Sequence, residues 1–375
     1  VPYKLKFLWA PLVDRISFPL FGLRRGWLLV TQVALMVTII GLGMSDPGMD
    51  LWNSVFWATA LAFSSATHDI VVDGYRVELL EPDEQGAGSA VAVLGYRIAM
   101  IVSGAGALYF AHFFGRLGGL CTSYADYTDP LGWNIAYIIM AGFMIIGMIA
   151  TLMATEPPDT TEGRARRATE RWGHFLWRSF LEGAIRPYMD MLRRRGSLLF
   201  ITFIMLFTLG ESLLGTMTNP FMREMGFSKL EIANVVKTFG TIATIMGIFV
   251  GGSLVRNVGV IRALWIGGIG QMFLNLAFSV QALLGNNIWA LTVTIFLEKF
   301  SMGIAAAAFV AYLSALCSRS FGATHYAMLM SASGLVKVVL AAFTGFAIES
   351  LKYTAGNANY YLTTHMERFN NETFF

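Results

Sequence analysis

Charge is scarce in this sequence of 375 residues, because Asp, Glu, Lys and Arg together make up only 14% of it. A soluble domain carries about a quarter of its residues as charged side chains. Cysteine is scarcer still: Cys121 and Cys317 are the two thiols, and neither belongs to a metal-binding or disulfide pattern. The formal charge of +3 is small. We therefore expect no disulfide framework, metal site, cofactor or nucleic-acid partner.

Long apolar stretches are what the sequence has instead. Hydrophobic residues make up 55% of the chain, and the mean hydropathy is +0.58. A helix needs roughly 20 apolar residues to cross a bilayer core of about 30 Å. Nine stretches reach this length and predict an all-α, multi-pass membrane protein: 27–44, 52–72, 86–112, 133–153, 197–218, 232–255, 263–284, 288–318 and 326–348.

Residues 1–13 form a tenth, partial apolar stretch without an initiator Met, and the sequence stops at Phe375, where another stretch could begin. We therefore expect a fragment of a longer protein. The polar segment 155–196 separates the stretches into two groups. This arrangement predicts an N-terminal helical bundle (1–154), a basic loop (155–196) and a C-terminal helical bundle (197–375).

The distribution of basic residues between alternate loops predicts the orientation of the chain. With the partial stretch counted as the second span, loops on one side carry sixteen Arg, nine of them between Thr155 and Gly196. Loops on the other side carry five basic residues. Cytoplasmic loops are enriched in Lys and Arg, so the first side is expected to face the cytoplasm. Apolar residues at helical spacing within 172–192 predict an amphipathic helix on the inner leaflet, the alternative being a plain connector.

Charged residues lie inside several predicted spans, although a charge in hydrocarbon is expensive and normally faces a bundle interior or a wet cavity. The spans 27–44, 133–153 and 263–284 carry no charge. This alternation indicates a transporter cavity, and the candidate substrate or proton sites are Asp69, Arg97, Glu211, Lys237, Glu298, Lys299 and Lys337, with His68 beside Asp69. The alternative is that these charges form interhelical ion pairs, such as Glu211 with Lys237 or Glu298 with Lys337.

An internal repeat supports two related halves. At an offset of 240 residues, Arg97 in "GYRIAMIVSGAG" falls on Lys337 in "GLVKVVLAAFTG". Each basic residue is roughly ten to twelve residues into its helix, which is about 15 to 18 Å from the cytoplasmic end and near the bilayer midplane. Repeats of this kind are common in secondary transporters.

The end of the fourth span, "SSATHDIVVDGYRVE", places Asp69, Asp73 and Arg76 on one helix face. We expect Asp73 and Arg76 to join Asp14 and Arg15 in a cytoplasmic gate, with Asp69 deeper as a proton or ligand site. The same letters also spell the His-x4-Asp pattern of some acyltransferases. No second motif of such enzymes accompanies it, so we predict no enzymatic activity.

Several long blocks of this sequence resemble the AmpG-type muropeptide permeases of the major facilitator superfamily. They are "KFLWAPLVDR" with "RRGWLL", "HDIVVDGYRVE", "GAGSAVAVLGYRIAMIVSG", "NPFMREMGFSKLEIANVVKTFGTIATIMGIFVGG" and "MGIAAAAFVAYLSALCSRSFGATHYAML". The resemblance implies two pseudo-symmetric bundles, a chain covering about the second to the eleventh span, and a cavity lined by the first, fourth, seventh and tenth spans. The third, sixth and ninth spans would lie outside, and these are the spans that carry no charge here.

The resemblance also implies a function: proton-driven import of N-acetylglucosaminyl-1,6-anhydro-N-acetylmuramyl peptides through the bacterial inner membrane, for peptidoglycan recycling and β-lactamase induction. Asp69 or Glu211 would be the coupling acid, with the proton as coupling ion and a monomer as the working unit. Hydrogen-bond donors in such a cavity would be Thr67, Asn219, Gln271 and Tyr312. The alternatives are transport of another bulky anion, such as an acyl-coenzyme A or a sugar phosphate, and a non-transporting muropeptide sensor or structural partner.

Three positions depart from the family pattern. His68 replaces a common Gln, Thr208 replaces a common Lys before the acid of the seventh span, and Lys299 replaces a common Asn in the tenth. One interpretation is that a basic group has moved from the seventh span to the tenth. Such a move would keep the charge of the cavity but change its geometry.

Overall fold

The computed structural model describes residues 2–14, 16, 22–81, 84–117, 130–157, 178–318 and 321–338. Helices dominate these residues, and seven of them are long and apolar enough to cross a membrane. The N-terminal segment consists of three short helical pieces, Pro2–Leu5, Lys6–Leu8 and Ala10–Val13. The first bundle continues with α1 (Arg24–Gly43), α2 (Leu51–Leu79), α3 (Gln85–Ile101, a π-helical turn Val102–Gly106, then Ala107–Leu117) and α4 (Pro130–Met153).

The shorter helix α5 (Arg178–Arg193) leads to the second bundle. This bundle contains α6 (Ser197–Glu224), α7 (Lys229–Asn234, a π-helical turn Val235–Phe239, then Gly240–Val258), α8 (Val260–Asn275 and Ala277–Leu284), α9 (Ile288–Leu316) and α10 (322–338). Seven of the nine predicted spans correspond to the seven apolar helices. The predicted span 197–218 lies within α6, and the span 326–348 begins in α10 and continues outside the described residues.

Side-chain caps explain where several of these helices begin. Asp50 accepts a hydrogen bond from the Asn53 backbone N–H at 3.1 Å at the start of α2, and Asn287 caps α9 in the same way. Ser228 and Glu231 form a reciprocal capping box at the start of α7. These residue types satisfy backbone donors that have no partner inside the helix.

Opposite charges hold α1 and α4 together at one end of the bundle. The Glu156 carboxylate, just after α4, accepts hydrogen bonds from the backbone N–H groups of Arg24 and Arg25 at 2.7 and 3.0 Å. The Arg25 guanidinium donates to the last carbonyl groups of α4, those of Thr151 and Leu152. Each charge therefore meets the helix end whose dipole it complements.

Small residues let neighbouring helices approach closely. A Cβ atom at Gly247 of α7 would overlap the carbonyl oxygen of Phe300 in α9, and one at Gly251 would lie 2.7 Å from the Ile304 carbonyl oxygen. Helix association in lipid depends on such close packing, because lipid tails are as apolar as the side chains.

Small residues also bring the two bundles close together, where α3 of the first bundle contacts α7 of the second. A Cβ atom at Gly252 would lie 2.7 Å from the Ala90 Cβ, and one at Gly86 would lie 2.6 Å from Val255. The π turns of α3 and α7 both lie roughly 20 Å along their helix axes from this contact and in the same direction. The contact therefore joins one end of the bundles, and both irregular turns lie towards the other end.

The peripheral helices have the apolar surface that the sequence predicts. Most large hydrophobic side chains of α4 and α8 are exposed, including Ile146, Met153, Trp265 and Phe273. These are two of the three spans that carry no charge. Apolar crevices also open on this surface, one of about 740 Å³ between α1, α3 and α4 and one of about 750 Å³ beside α6 and α8.

We predict that Gly247→Ala separates α7 from α9 and lowers stability by about 1–3 kcal/mol, as overpacking does in other cores. The melting temperature of the purified protein, followed by fluorescence-detected size exclusion, measures this loss. Gly142→Ala in α4 is the matched control, because no atom lies within 4 Å of an added Cβ there. Equal melting temperatures for the two variants would contradict the assignment of Gly247 to a tight contact.

Candidate functional site

A buried arginine organises the end of the molecule at which α1 begins. Arg24 is 1% exposed, and its Nε donates to the Glu78 carboxylate at 2.8 Å. A second guanidinium nitrogen donates to Asp14 at 2.5 Å and also to Glu78. The cluster therefore ties the N-terminal segment, α1 and α2 together. We call this part of the molecule the basic end, because the described arginines Arg24, Arg25, Arg76 and Arg194 lie there.

The same cluster reaches into the second bundle. Asp14 accepts hydrogen bonds from the Thr324 backbone N–H at 2.9 Å and from the Thr324 hydroxyl at 2.5 Å. Thr324 lies in the first turn of α10, where the helix dipole favours a negative charge. Beside it, a Cβ atom at Gly74 of α2 would lie 2.7 Å from the Ala323 side chain. The two bundles are therefore packed tightly against each other at the basic end.

Helix α5 contacts both bundles at the basic end. The Tyr188 hydroxyl donates to the Phe7 carbonyl oxygen in the first bundle, and burial together with the Asp14 charge raises the pKa of Tyr188 to about 12. His325 of α10 donates through Nε2 to the Pro187 carbonyl oxygen at 2.9 Å. Arg194 donates to the Leu316 carbonyl oxygen at 2.9 Å. Helix α5 overlaps the segment 172–192, for which the sequence predicts an amphipathic helix, and it contacts both bundles while also carrying exposed side chains. Its position on the inner leaflet stays a prediction, and residues 172–177 lie outside the described residues.

A second charge cluster lies further along α2. The buried Lys6 ammonium forms ion pairs with Asp69 and, at 3.6 Å, with Asp73. Asp73 also pairs with Arg76 at 3.3 Å, and the Arg76 guanidinium lies 5.0 Å above the Tyr326 ring of α10. An alternating ladder of charges therefore runs from Asp69 to the second bundle. Asp69 is its most accessible member, since 45% of its side chain is exposed.

A third charge pair lies in the second bundle. Lys299 donates to Oε1 of Glu298 at 3.0 Å, so Glu298 pairs with its neighbour in α9 and not with Lys337. Glu298 is 3% exposed, and its Oε2 has no hydrogen-bond partner in the part of the chain that the structure describes. The Lys299 side chain passes close to Gly240, next to the π turn of α7. Lys237 lies inside that turn and is exposed.

Arg97 lies on the face of α3 that meets the second bundle. It follows Gly86 and Ala90 by nearly whole numbers of helical turns, and those two residues contact α7. Its Nε is buried and finds no acceptor among the described residues. The side chain of Glu211, in α6, lies outside those that the structure describes, as does all of Arg15.

Other predicted residues are turned away from these clusters. His68 Nδ1 lies 2.9 Å from the Thr31 hydroxyl of α1, on a different side of α2 from the Asp69 pair. The Tyr312 ring packs edge-on against Phe203 in the apolar crevice beside α6 and α8. Thr67 accepts a hydrogen bond from the Trp9 indole at 3.2 Å.

Thr208 and Lys299, the two positions between which a basic group was suggested to have moved, lie at different depths along the bundle. Phe207 of α6 stacks on Phe309 of α9, which places Thr208 level with about residue 308. Lys299 is nine residues away from that level, about 14 Å along the helix axis. Thr208 is buried and hydrogen-bonded to Ser333 at 2.8 Å. A lysine at position 208 would therefore act at a different depth from Lys299.

Sequence reasoning expected one gate network of Asp14, Arg15, Asp73 and Arg76, whereas the described residues form two clusters. Asp14 belongs to the Arg24 cluster, and Asp73 and Arg76 belong to the Lys6 ladder. The partners that the sequence reasoning missed are Lys6, Arg24, Glu78, Thr324 and Tyr326. A usable signal existed for Glu78, which ends the motif "HDIVVDGYRVE" five residues after Asp73 and two after Arg76.

We predict that Asp14→Ala opens the basic end, because Arg24 loses one carboxylate and the start of α10 loses two hydrogen bonds. Charge-assisted bonds of this kind contribute about 2 kcal/mol, or roughly a 30-fold change in an equilibrium. The reporter is the free thiol of Cys317 at this end, in a Cys121→Ser background. This thiol is only partly exposed, so opening should speed its reaction with a membrane-impermeant maleimide.

Asp46→Ala is the control for this prediction, since Asp46 is exposed in a loop and its carboxylate accepts a local hydrogen bond from the Gly48 backbone N–H. An unchanged labelling rate in folded Asp14→Ala protein would show that this carboxylate does not hold the end closed.

Comparison with known sequences agrees with this architecture. The family model of the Major Facilitator Superfamily matches residues 5–345. The anhydromuropeptide permease of Escherichia coli strain K12 is 35% identical over 349 residues, which cover 93% of this chain and 65% of that permease. The chain thus spans just under two thirds of that relative's length. Putative transporter AmpG 4 of Rickettsia conorii is 32% identical over 346 residues, covering 92% of this chain and 78% of that protein.

Solved structures show the same fold at low sequence identity. The proton:xylose symporter XylE bound to 6-bromo-6-deoxy-D-glucose has a TM-score of 0.60 and 14% identity, and the match covers 94% of this chain and 78% of that chain. The transporter FucP in the outward conformation has a TM-score of 0.60 and 13% identity, covering 92% and 81%. Together with the sequence matches, these likenesses show that the chain belongs to the Major Facilitator Superfamily and, within it, to the AmpG-type permeases, which are transporters rather than enzymes.

Proposed function

We propose that this protein imports N-acetylglucosaminyl-1,6-anhydro-N-acetylmuramyl peptides across the bacterial inner membrane and that the proton gradient drives the import. The observation that carries the substrate is the 35% identity to an anhydromuropeptide permease over 93% of this chain. The placement of its intramembrane charges agrees with a cargo of this chemistry.

A muropeptide offers carboxylates on its stem peptide and many hydroxyl and amide groups on its sugars. A cavity for it needs cations and hydrogen-bond donors. Arg97 fits this requirement, because its Nε is a buried donor without an acceptor in the described chain and it lies on the face of α3 that meets the second bundle. A guanidinium can bind a carboxylate through two parallel hydrogen bonds. Lys237 and Lys299 add positive charge near the π turn of α7.

Asp69 is the carboxylate that we assign to proton coupling. It is half-exposed, whereas its partner Lys6 is buried, so a proton can reach the acid from the accessible side of the pair. A proton on Asp69 cancels its negative charge and removes the Coulomb attraction to Lys6. Lys6 then has Asp73 as its remaining carboxylate.

This change is transmitted to the basic end through Asp73. When the ion pair between Lys6 and Asp73 becomes stronger, the ion pair between Asp73 and Arg76 weakens. Arg76 stacks on Tyr326 of α10, so the contact between the bundles weakens with it. Proton binding at Asp69 thereby favours opening of the basic end, which the arginine-rich loops assign to the cytoplasm. The two bundles then rock about the bound substrate, as alternating access requires.

The test is uptake of labelled anhydromuropeptide into right-side-out vesicles carrying the full-length protein, with and without a proton gradient. We predict that Asp69→Asn abolishes gradient-driven accumulation but retains exchange of internal for external substrate, because Asn imitates the protonated acid. Arg97→Ala should lower the apparent affinity by about tenfold or more, the effect of one lost charge-assisted hydrogen bond.

Asp46→Asn provides the matched control, since it removes one exposed carboxylate outside the spans. Uptake that ignores the gradient in wild-type vesicles would refute proton coupling. Wild-type vesicles that contain folded protein but take up no muropeptide would refute the substrate and leave a transporter of a different cargo.

A further inference from the structure

An apolar crevice of about 750 Å³ opens on the second bundle beside α6 and α8, and we call it the α6–α8 crevice. Its lining includes Leu199, Leu206 and Trp265, whose side chains are all exposed on the outer surface. Along α6 the lining extends from Gly196 to Leu206, which are about 15 Å apart along the helix axis. This length is half of a bilayer core of about 30 Å, so the crevice matches an acyl chain of one leaflet.

The mouth of this crevice lies at the basic end, where α6 and α8 both begin. Gly196 directly precedes α6, Ile261 is in the first turn of α8, and both residues line the crevice. Gly196 has a φ of 83°, a left-handed conformation that glycine adopts without strain, so the chain turns sharply there. Arg195 and Arg262 are the next residues in sequence to these two, and both are exposed. Two arginines therefore flank the mouth.

These two arginines differ from those of the charge clusters, because no carboxylate compensates them. Arg194 pairs with Asp190 at 2.8 Å, whereas within the described ranges neither Arg195 nor Arg262 forms an ion pair. Residues 232–297, which include all of α8 and the chain on both sides of it, contain no Asp or Glu. A guanidinium binds a phosphate through two parallel hydrogen bonds. The mouth therefore offers positive charge that an anion from outside the protein can neutralise.

The change from charged to exposed apolar side chains marks the level of the membrane surface. Three consecutive arginines, 193–195, are followed at once by Leu198 and Leu199 of α6, which are each 79% exposed. Ile185 and Leu192 of α5 are exposed as well, so the apolar surface continues beside the mouth. Exposed leucines favour hydrocarbon, whereas arginine side chains near helix ends reach the headgroup region. The mouth of the crevice is therefore level with the lipid phosphates.

The crevice between α1, α3 and α4 provides a comparison within the same molecule. Its volume of about 740 Å³ is nearly equal, and its lining, which includes Ile98, Trp133 and Met144, is also mostly apolar. No exposed basic residue is next in sequence to any of its lining residues. The two crevices thus offer similar space for an acyl chain, but the α6–α8 crevice alone of these two has exposed arginines next to its lining.

We propose that the α6–α8 crevice binds an anionic phospholipid, with one acyl chain along Leu199 and Leu206 and the phosphate between Arg195 and Arg262. The site selects the charge of the headgroup, because a zwitterionic lipid offers the same chains but carries a cation that balances its phosphate. It lies on the outer face of the second bundle, apart from the charge clusters between the bundles. The inference therefore goes beyond the proposed function and does not depend on the cargo.

Trp265 reports whether an acyl chain occupies the crevice, because its side chain is part of the lining. The full-length protein in detergent micelles is titrated with phosphatidylglycerol or phosphatidylcholine, both with brominated acyl chains that quench nearby tryptophan fluorescence. The Trp265 signal is the difference between each protein and the same protein with Trp265→Phe. Bromine atoms quench only at short range, so this signal reports lipid in the crevice and not lipid elsewhere on the surface.

We expect phosphatidylglycerol to reach half-quenching of Trp265 at a concentration roughly 25-fold lower than phosphatidylcholine, about fivefold from each arginine. Arg195→Gln and Arg262→Gln should each reduce this preference about fivefold, and the double variant should abolish it. Arg223→Gln is the matched control and should leave the preference unchanged, because it removes one exposed arginine from the opposite end of α6. Trp133, in the comparison crevice, should be quenched equally by the two lipids.

A salt titration of the unaltered protein tests the same site without any substitution. Raising the salt concentration to about 1 M screens exposed charges, so it should remove the preference for phosphatidylglycerol and leave quenching by phosphatidylcholine unchanged. Equal half-quenching by the two lipids, a preference that resists salt, or a preference retained in the folded double variant would each refute the anionic site. A Trp265 signal that neither lipid quenches would show that no acyl chain enters the crevice and would refute the proposal as well.

Discussion

The closed end of this permease depends on one buried guanidinium. Arg24 cannot be buried without carboxylates, because an unpaired charge in a low-dielectric interior costs several kcal/mol. Its two carboxylates come from different elements, Asp14 after the N-terminal segment and Glu78 at the end of α2. Asp14 at the same time binds the first turn of α10. Neutralising one arginine therefore fixes the position of three elements of the first bundle and one of the second.

The two bundles contact each other along two seams, and different interactions hold each seam together. The seam of the N-terminal segment, α2 and α10 is electrostatic, with the Arg24 cluster at its end, the Lys6 ladder along it and Lys4 beside α10. The seam of α3 and α7 is steric, with glycines and an alanine in backbone contact. A charged seam weakens when one of its charged partners is neutralised, whereas a glycine seam lets helix backbones approach each other closely.

The bundle architecture was predictable because membrane spans are specified locally, by the length and polarity of a single stretch. The absence of charge in 133–153 and 263–284 also located the peripheral helices α4 and α8, whose apolar side chains are largely exposed. Pairing was not predictable, because partners such as Asp14 and Thr324 are 310 residues apart and meet only through tertiary register. Lys4 and Lys6 escaped notice because the segment 1–13 is too short to score as a span, and His68 is oriented by Thr31 on a neighbouring helix.

The π turns of α3 and α7 have a consequence for how this chain tolerates length changes. A π turn contains one residue more than the α-helical turn it replaces, and the wider turn absorbs this residue, so everything beyond it keeps its orientation. Removing one residue from an ordinary helix rotates one end against the other by about 100° and turns its lipid face inward. Within Val102–Gly106 or Val235–Phe239 the helix instead holds a surplus residue that a continuous α-helix does without. Relatives that differ from this chain by one residue in a span would therefore be expected to differ at these two turns.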